Sequence, residues 1–179
     1  IQNQLAEAGI IFGQIADFSS SGPSADYYFK PEVTAPGVGI RSTVTTKPNS
    51  ADPKKRDPQW AVMQGTSMSG PHVAGASAIL RQAYPKAEPK QIKAIFMATC
   101  DLLRNDEAGE YVPLMSQGSG RINIPAALGA KMIFDPPALS LRAISGKVKQ
   151  ASFKVTNISK KQTEFALSYH SLGDTTKCN

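Results

Sequence analysis

Gly65-Thr66-Ser67-Met68-Ser69-Gly70-Pro71-His72-Val73-Ala74-Gly75 joins a tight glycine turn to a serine and runs straight on into a helix. That arrangement presents a hydroxyl. A serine in the first turn of a helix has its backbone N–H among the orphan donors of the helix start, and it sits at the positive end of the helix dipole. Such a residue can attack a carbonyl carbon and also help hold the resulting oxyanion. Serine also caps helices, so these residues alone leave two roles open for Ser67, cap and nucleophile.

Working outward from Ser67, the apolar positions Val73, Ala74, Ala76, Ala78, Ile79, Leu80 and Ala83 predict a buried helix that ends before Pro85. Gly70, Ala74, Gly75 and Ala78 would let one side approach a sheet closely, as in a central helix of a larger α/β core. Pro71 is expected in the first turn, where its missing N–H has no intrahelical partner. Upstream, residues 10–62 read as short strands and loops. Gln59-Trp60-Ala61-Val62-Met63 is expected to be the strand leading to the Gly65 turn, and residues 42–56, rich in Pro, Asp and Lys, an exposed loop. Downstream, Glu88-Pro89 followed by Ile92, Ile95, Phe96 and Leu102 or its neighbours predicts a second helix packed on the outside. After a loop over residues 104–117, Ile124-Pro125-Ala126-Ala127-Leu128 reads as a short closing helix.

The texture then changes. Asp135-Pro136-Pro137 breaks the chain, and residues 152–157 and 165–169 alternate apolar and polar positions on either side of Ser159-Lys160-Lys161. Such strands predict a hairpin that buries too little to be stable alone.

The residues around Ser67 resemble the nucleophile segment of the subtilisin-like serine peptidases. Two further segments in the same order carry the resemblance. Ser20-Ser21-Gly22-Pro23 followed by Lys30-Pro31-Glu32-Val33-Thr34-Ala35-Pro36-Gly37 lies before the serine; Gly118-Ser119-Gly120-Arg121-Ile122-Asn123-Ile124-Pro125-Ala126-Ala127-Leu128 lies after it. Together they cover about residues 12–134. The resemblance implies an α/β fold around a parallel sheet, with residues 1–134 as the C-terminal portion of the catalytic domain. Residues 135–179 resemble the start of a fibronectin-like β-sandwich found after that domain in larger relatives. Peptide-bond hydrolysis through an acyl-enzyme on Ser67 is the implied activity. Gly65 and Thr66 would touch substrate backbone or the oxyanion, although a turn requirement also accounts for them, and Met68 would line the site. Gln64 and Gly70 depart mildly from the usual pattern.

The triad of this family runs Asp, His, Ser. The chain holds only His72 and His170, and neither precedes Ser67. His72 falls about 140° around the helix from Ser67 and reads as a structural residue hydrogen-bonded beside the site. The base, its orienting Asp and the oxyanion Asn are expected in a preceding N-terminal portion, so this chain is read as a piece of a longer protease, inactive alone and exposing apolar faces through which it would self-associate.

Composition excludes several other classes. Apolar residues make up 41% and charged residues 19%, ordinary for a globular chain. No apolar run approaches the ~20 residues that span a bilayer. The net charge of +6 is densest at Lys54-Lys55-Arg56, which Asp52 and Asp57 flank; without interleaved aromatics this reads as a solvated loop, not a nucleic-acid site. Cys100 and Cys178 lie far apart and could pair in a secreted protein. No C-x-x-C spacing exists, and neither metal nor cofactor is expected. Asn157-Ile158-Ser159 matches a glycosylation acceptor. The resemblance implies a protein or peptide substrate and a secreted or cell-envelope location. The alternatives are a non-catalytic relative acting as adhesin or scaffold, and a basic binding module supported only by the clustered lysines.

Overall fold

Helix α1, Thr66–Ala83, begins where Gly65 takes φ 145° and ψ 163°, a backbone region that side chains disfavour. It is drawn from a computed structural model that describes residues 13–48, 51–52, 54–105, 109–140, 150–159 and 161–168. Along α1, Ala76 and Leu80 face the core, and Val73 and Ser77 lie partly buried beside them, at helical spacing. The helix ends at Tyr84, whose hydroxyl donates to the carbonyls of Leu128 at 2.7 Å and Ala127 at 3.2 Å. Pro71 lies beyond the first turn, at the sixth helical residue. The Ser67 carbonyl therefore has no i+4 N–H to accept from.

Gly70, Ala74, Gly75 and Ala78, expected to face a sheet, are exposed, and a Cβ built on Gly70 or Gly75 meets nothing within 4 Å among the described residues. Burial concentrates instead on α2, Pro89–Thr99, where Ile92, Ala94, Ile95, Phe96 and Met97 are buried. The expected outside position for this helix is thus reversed. Its start is well made: Pro89 occupies the first turn, and Glu88 and Gln91 form a reciprocal capping box. Its end at Thr99 leaves Leu102 outside the helix and exposed. Leu114–Gln117 forms a short helix, α3, where a loop was expected. The closing helix α4, Ile124–Leu128, is present, with the Asn123 side chain accepting from the Ala126 N–H at 2.9 Å as its cap. Ala127 of α4 joins Leu80, Ile95 and Phe96 in one core.

Strands are paired locally. β1, Ile40–Pro48, and β2, Arg56–Met63, run antiparallel with Ile40 opposite Met63 and Thr43 opposite Trp60. Much of the expected loop over residues 42–56 is therefore strand. The run Thr43-Val44-Thr45-Thr46 explains this, since branched side chains favour the pleated backbone more than the nearby Pro and Asp oppose it. β3, Met132–Asp135, pairs antiparallel with β4, Lys154–Asn157. The hairpin expected between residues 152–157 and 165–169 is not formed: residues 162–168 carry no strand, and Phe165 and Leu167 are 56% and 76% exposed. Tyr169 lies outside the described residues. β3 offers β4 a better partner, with Ile133 buried against the core and the Phe134 and Phe153 rings 6.0 Å apart. Among the described residues the parallel pairing is limited to the Thr34–Arg121 bridge.

Candidate active site

Three segments far apart in sequence meet at the start of α1. Gly65 donates its N–H to the Gly37 carbonyl at 2.8 Å, and the Ser69 hydroxyl donates to the Ala35 carbonyl at 2.9 Å. Gly37 has no room for a side chain, because a Cβ there would overlap Ser69 Oγ and lie 2.8 Å from the Gly65 carbonyl oxygen. The same strand-like segment docks the third one: Thr34 N–H donates to the Gly120 carbonyl at 2.8 Å, and Ile122 N–H to the Thr34 carbonyl at 3.0 Å. Gly118 sits against the backbone of Pro31 and Glu32. Ser20-Ser21-Gly22-Pro23 joins from the far side, with Gly22 N–H donating to the Met115 carbonyl at 2.7 Å. The motifs are therefore one scaffold that fixes where α1 begins.

Ser67 is exposed in the first turn of α1. Gly65 at the N-cap offers no side chain to the first-turn N–H groups, and no acidic residue stands in that turn. The positive end of the helix dipole is left unneutralised beside the Ser67 hydroxyl. Among the described residues no group hydrogen-bonds the Ser67 hydroxyl, so it holds no cap bond. It opens into a cleft of about 420 Å³ whose wall includes Met68, Pro71 and His72 from α1 and Ile40, Val44 and Met63 from the β1–β2 hairpin. Thr66 is exposed next to Ser67 and Met68 is half-buried. Met68 N–H turns back to the Gly65 carbonyl at 3.0 Å, which tightens the glycine turn. The structure thus brings Gly65, Thr66, Ser67 and Met68 together at one cleft.

His72 shares that cleft but is not core-packed; it is exposed, and its Nδ1 lies 2.8 Å from the Met68 carbonyl. A carbonyl only accepts, so the contact requires the proton on Nδ1. That bond ties the ring to its own helix one turn back. His170 lies outside the described residues, as does Cys178, and with it the Cys100–Cys178 pairing.

Electrostatics around the scaffold are modest. Glu32 holds the docking segment to α2, with Lys30 Nζ at 2.6 Å and Lys93 Nζ at 3.3 Å from its carboxylate. Burial pushes the Glu32 carboxyl up, but the two lysines outweigh it and hold the group below its ordinary value. Burial, reinforced by the neighbouring Asp101 charge, pushes the Cys100 thiol up to about 12. Cys100 is therefore a thiol at neutral pH, unsuited to nucleophilic chemistry. Among the described residues no group of His, Cys, Asp and Glu is placed to hold a metal ion.

Several positioning residues escaped sequence reasoning. Gln117 is fully buried and clips the preceding loop, accepting from Leu103 N–H at 2.7 Å and donating to the Val112 carbonyl at 2.6 Å. Asn123 Nδ2 donates to Asp101 Oδ1 at 3.0 Å while its oxygen caps α4. Ser69 and Gly37 join the scaffold as described. Gln117 and Asn123 did carry a signal, since each flanks the Gly118-Ser119-Gly120 turn region, but their partners are distant in sequence.

An exposed serine at an uncapped helix start, opening into a cleft and braced by glycine-dependent backbone contacts, is the arrangement a serine hydrolase uses for its nucleophile. Residues 11–120 match the family model described as Peptidase_S8, subtilase family, and the chain belongs to that family of subtilisin-like serine peptidases. It is 38% identical over 165 residues to the minor extracellular protease Vpr of Bacillus subtilis (strain 168), covering 87% of this chain and 19% of that protein. It is 34% identical over 125 residues to the subtilisin-like protease SBT4.7 of Arabidopsis thaliana, covering 68% of this chain and 18% of that one. Among solved structures, MycP1 from Mycobacterium smegmatis aligns over 77% of this chain and 32% of its own with 26% identity and a TM-score of 0.45. The chain spans about a fifth of the length of these curated relatives.

Proposed function

We propose that the full-length protein is a serine endopeptidase in which Ser67 attacks the scissile carbonyl and forms an acyl-enzyme that water resolves. The observation that carries this reading is the exposed Ser67 at the uncapped start of α1, held there by the Gly65–Gly37 and Ser69–Ala35 bonds. Family membership supports it. The first-turn N–H groups, Ser67's own among them, would face the developing oxyanion together with an Asn outside this chain. Gly65, Thr66 and Met68 would contact the substrate. A His and an Asp from a preceding portion act as base and orienter, because the chain's own histidines do not precede Ser67 and the ring of His72 is already bonded to Met68. The 179-residue chain alone is then inactive and prone to associate through the exposed small-residue face of α1.

The same reading makes Thr34–Arg121 part of a parallel sheet completed by that preceding portion. Residues 1–134 form the C-terminal part of the catalytic domain and residues 135–179 open a fibronectin-like sandwich. Protein or peptide substrates and a secreted or cell-envelope location follow by analogy with relatives such as the extracellular protease Vpr. No helix among the described residues is long and apolar enough to cross a membrane.

A fluorophosphonate probe tests the proposal on the 179-residue chain, on the full-length protein and on its Ser67→Ala variant. Labelling of the full-length protein alone is the expected result. No labelling of a folded full-length protein would overturn the nucleophile assignment, and labelling of the isolated chain would overturn its dependence on residues elsewhere.

A further inference from the structure

The cleft that holds Ser67 is walled by neutral side chains apart from His72 and Arg41. Arg41 stands on β1 opposite Val62 of β2. Its guanidinium carbon lies 5.7 Å from the centroid of the Trp60 ring on the partner strand. Stacking on an indole restrains a long side chain that would otherwise sample many rotamers. The ion pairs among the described residues join Lys30 and Lys93 to Glu32, Lys90 to Glu88, and Arg121 to Asp101, so none of them engages Arg41. A planar fork of N–H donors is thus exposed at the cleft without a carboxylate of its own.

The surrounding hairpin reinforces this charge. Residues 40–63 contain Arg41, Lys47, Lys54, Lys55 and Arg56 against only Asp52 and Asp57, so half of the net charge of +6 sits on this arm. A field of one sign along one lip of a cleft raises the local concentration of oppositely charged ligand.

We propose that Arg41 is a specificity-determining residue that receives the carboxylate of an Asp or Glu side chain of the bound peptide, so that substrates with an acidic residue on the β1–β2 side of the scissile bond are preferred. The planar guanidinium matches a carboxylate edge on, with two parallel N–H···O bonds, while its face stays on Trp60. The inference deepens the reading of Ser67 as nucleophile and rests on it for the identity of the bond cut. The binding preference itself needs no cleavage.

The test uses the full-length protein carrying Ser67→Ala and fluorescein-labelled peptides with Glu, Gln or Lys placed in turn at each position along the sequence, read by anisotropy. At one position Glu is expected to bind roughly 3- to 10-fold more tightly than Gln, the gain falling between about 50 and 300 mM salt. Arg41→Gln should abolish the difference and Arg41→Glu should shift the preference to Lys, which separates Arg41 from His72 as the source. A Glu-to-Gln ratio near unity at every position, or one that survives Arg41→Gln, overturns the proposal; so does failure of every peptide to bind a protein with native circular dichroism. If the Glu preference tracks Arg41 but the Ser67-intact protein cuts no peptide, the nucleophile reading falls and the Arg41 assignment stands.

Discussion

Helices α1 and α2 follow each other in the chain and are built in opposite ways. α2 carries its own capping box and buries Ile92, Ala94, Ile95, Phe96 and Met97. α1 is longer, starts on a glycine without a side-chain cap, holds a proline, and buries only Ala76 and Leu80. The difference separates two tasks. α2 secures itself through local sequence and core packing, whereas the start of α1 is fixed from outside, by the carbonyls of Gly37 and Ala35. An N-cap side chain on α1 would stabilise the helix and at the same time occupy the donors beside Ser67.

Substitution at the two helices should therefore dissociate stability from turnover. In the full-length protein Ser67→Ala is expected to lower kcat on the order of 10⁴-fold or more, the scale measured when subtilisin loses its serine, with stability within about 0.5 kcal/mol of wild type. Phe96→Ala empties a side chain that is 3% exposed in the core and should cost about 3–5 kcal/mol. Denaturation midpoints and peptide turnover measured together on both variants check this. A Ser67→Ala protein that is as destabilised as Phe96→Ala would show that the serine is chiefly a structural cap.

A smaller effect falls on the boundary between the helices' two modes of construction. Gly65→Ala must hold φ 145° with a Cβ, a strain of about 1–3 kcal/mol. The hydrogen bond from Gly65 N–H to Gly37 gives the strained turn a reason to shift Ser67, so kcat should drop by more than the stability loss explains. Equal kcat for the folded fraction of the variant would mean that the turn does not position the hydroxyl.

How far these features were legible in the sequence follows the same division. α2 and α4 were readable because their caps are local: Pro89 at the first turn and Asn123 before Ile124 are spaced as helix starts require. The span of α1 and the placement of Ser67 in its first turn were readable from the glycine turn and the spacing of Val73, Ala76 and Leu80. What the sequence concealed depends on distant partners. The small-residue face of α1 was expected to be covered, and among the described residues it is open. β4 was expected to pair forward along the chain and instead pairs back to β3, because burial of Ile133 and contact between Phe134 and Phe153 outweigh a short polar turn. Arg41 gave no signal at all, since its importance comes from Trp60 across the hairpin and from a cleft wall that only the fold assembles.

The smallest predicted effect concerns the link between the two constructions. Glu32 lies in the segment that docks the start of α1, and Lys93, which it contacts, lies on α2. Its carboxyl is held below the ordinary value in the folded protein, so folding favours the ionised form. The sign follows directly: this contribution is complete above the unfolded carboxylate value near 4.3 and fades as pH falls through the lower folded value. Glu32→Gln should therefore cost no more than about 1 kcal/mol at neutral pH, given the partly exposed pair, and the gap to wild type should close in acid. Denaturation midpoints of both proteins between pH 7 and about pH 3 read this difference. A gap that stays constant would assign the loss to packing of the amide in place of the carboxylate, and would leave the docking segment tied to α1 by its backbone bonds alone.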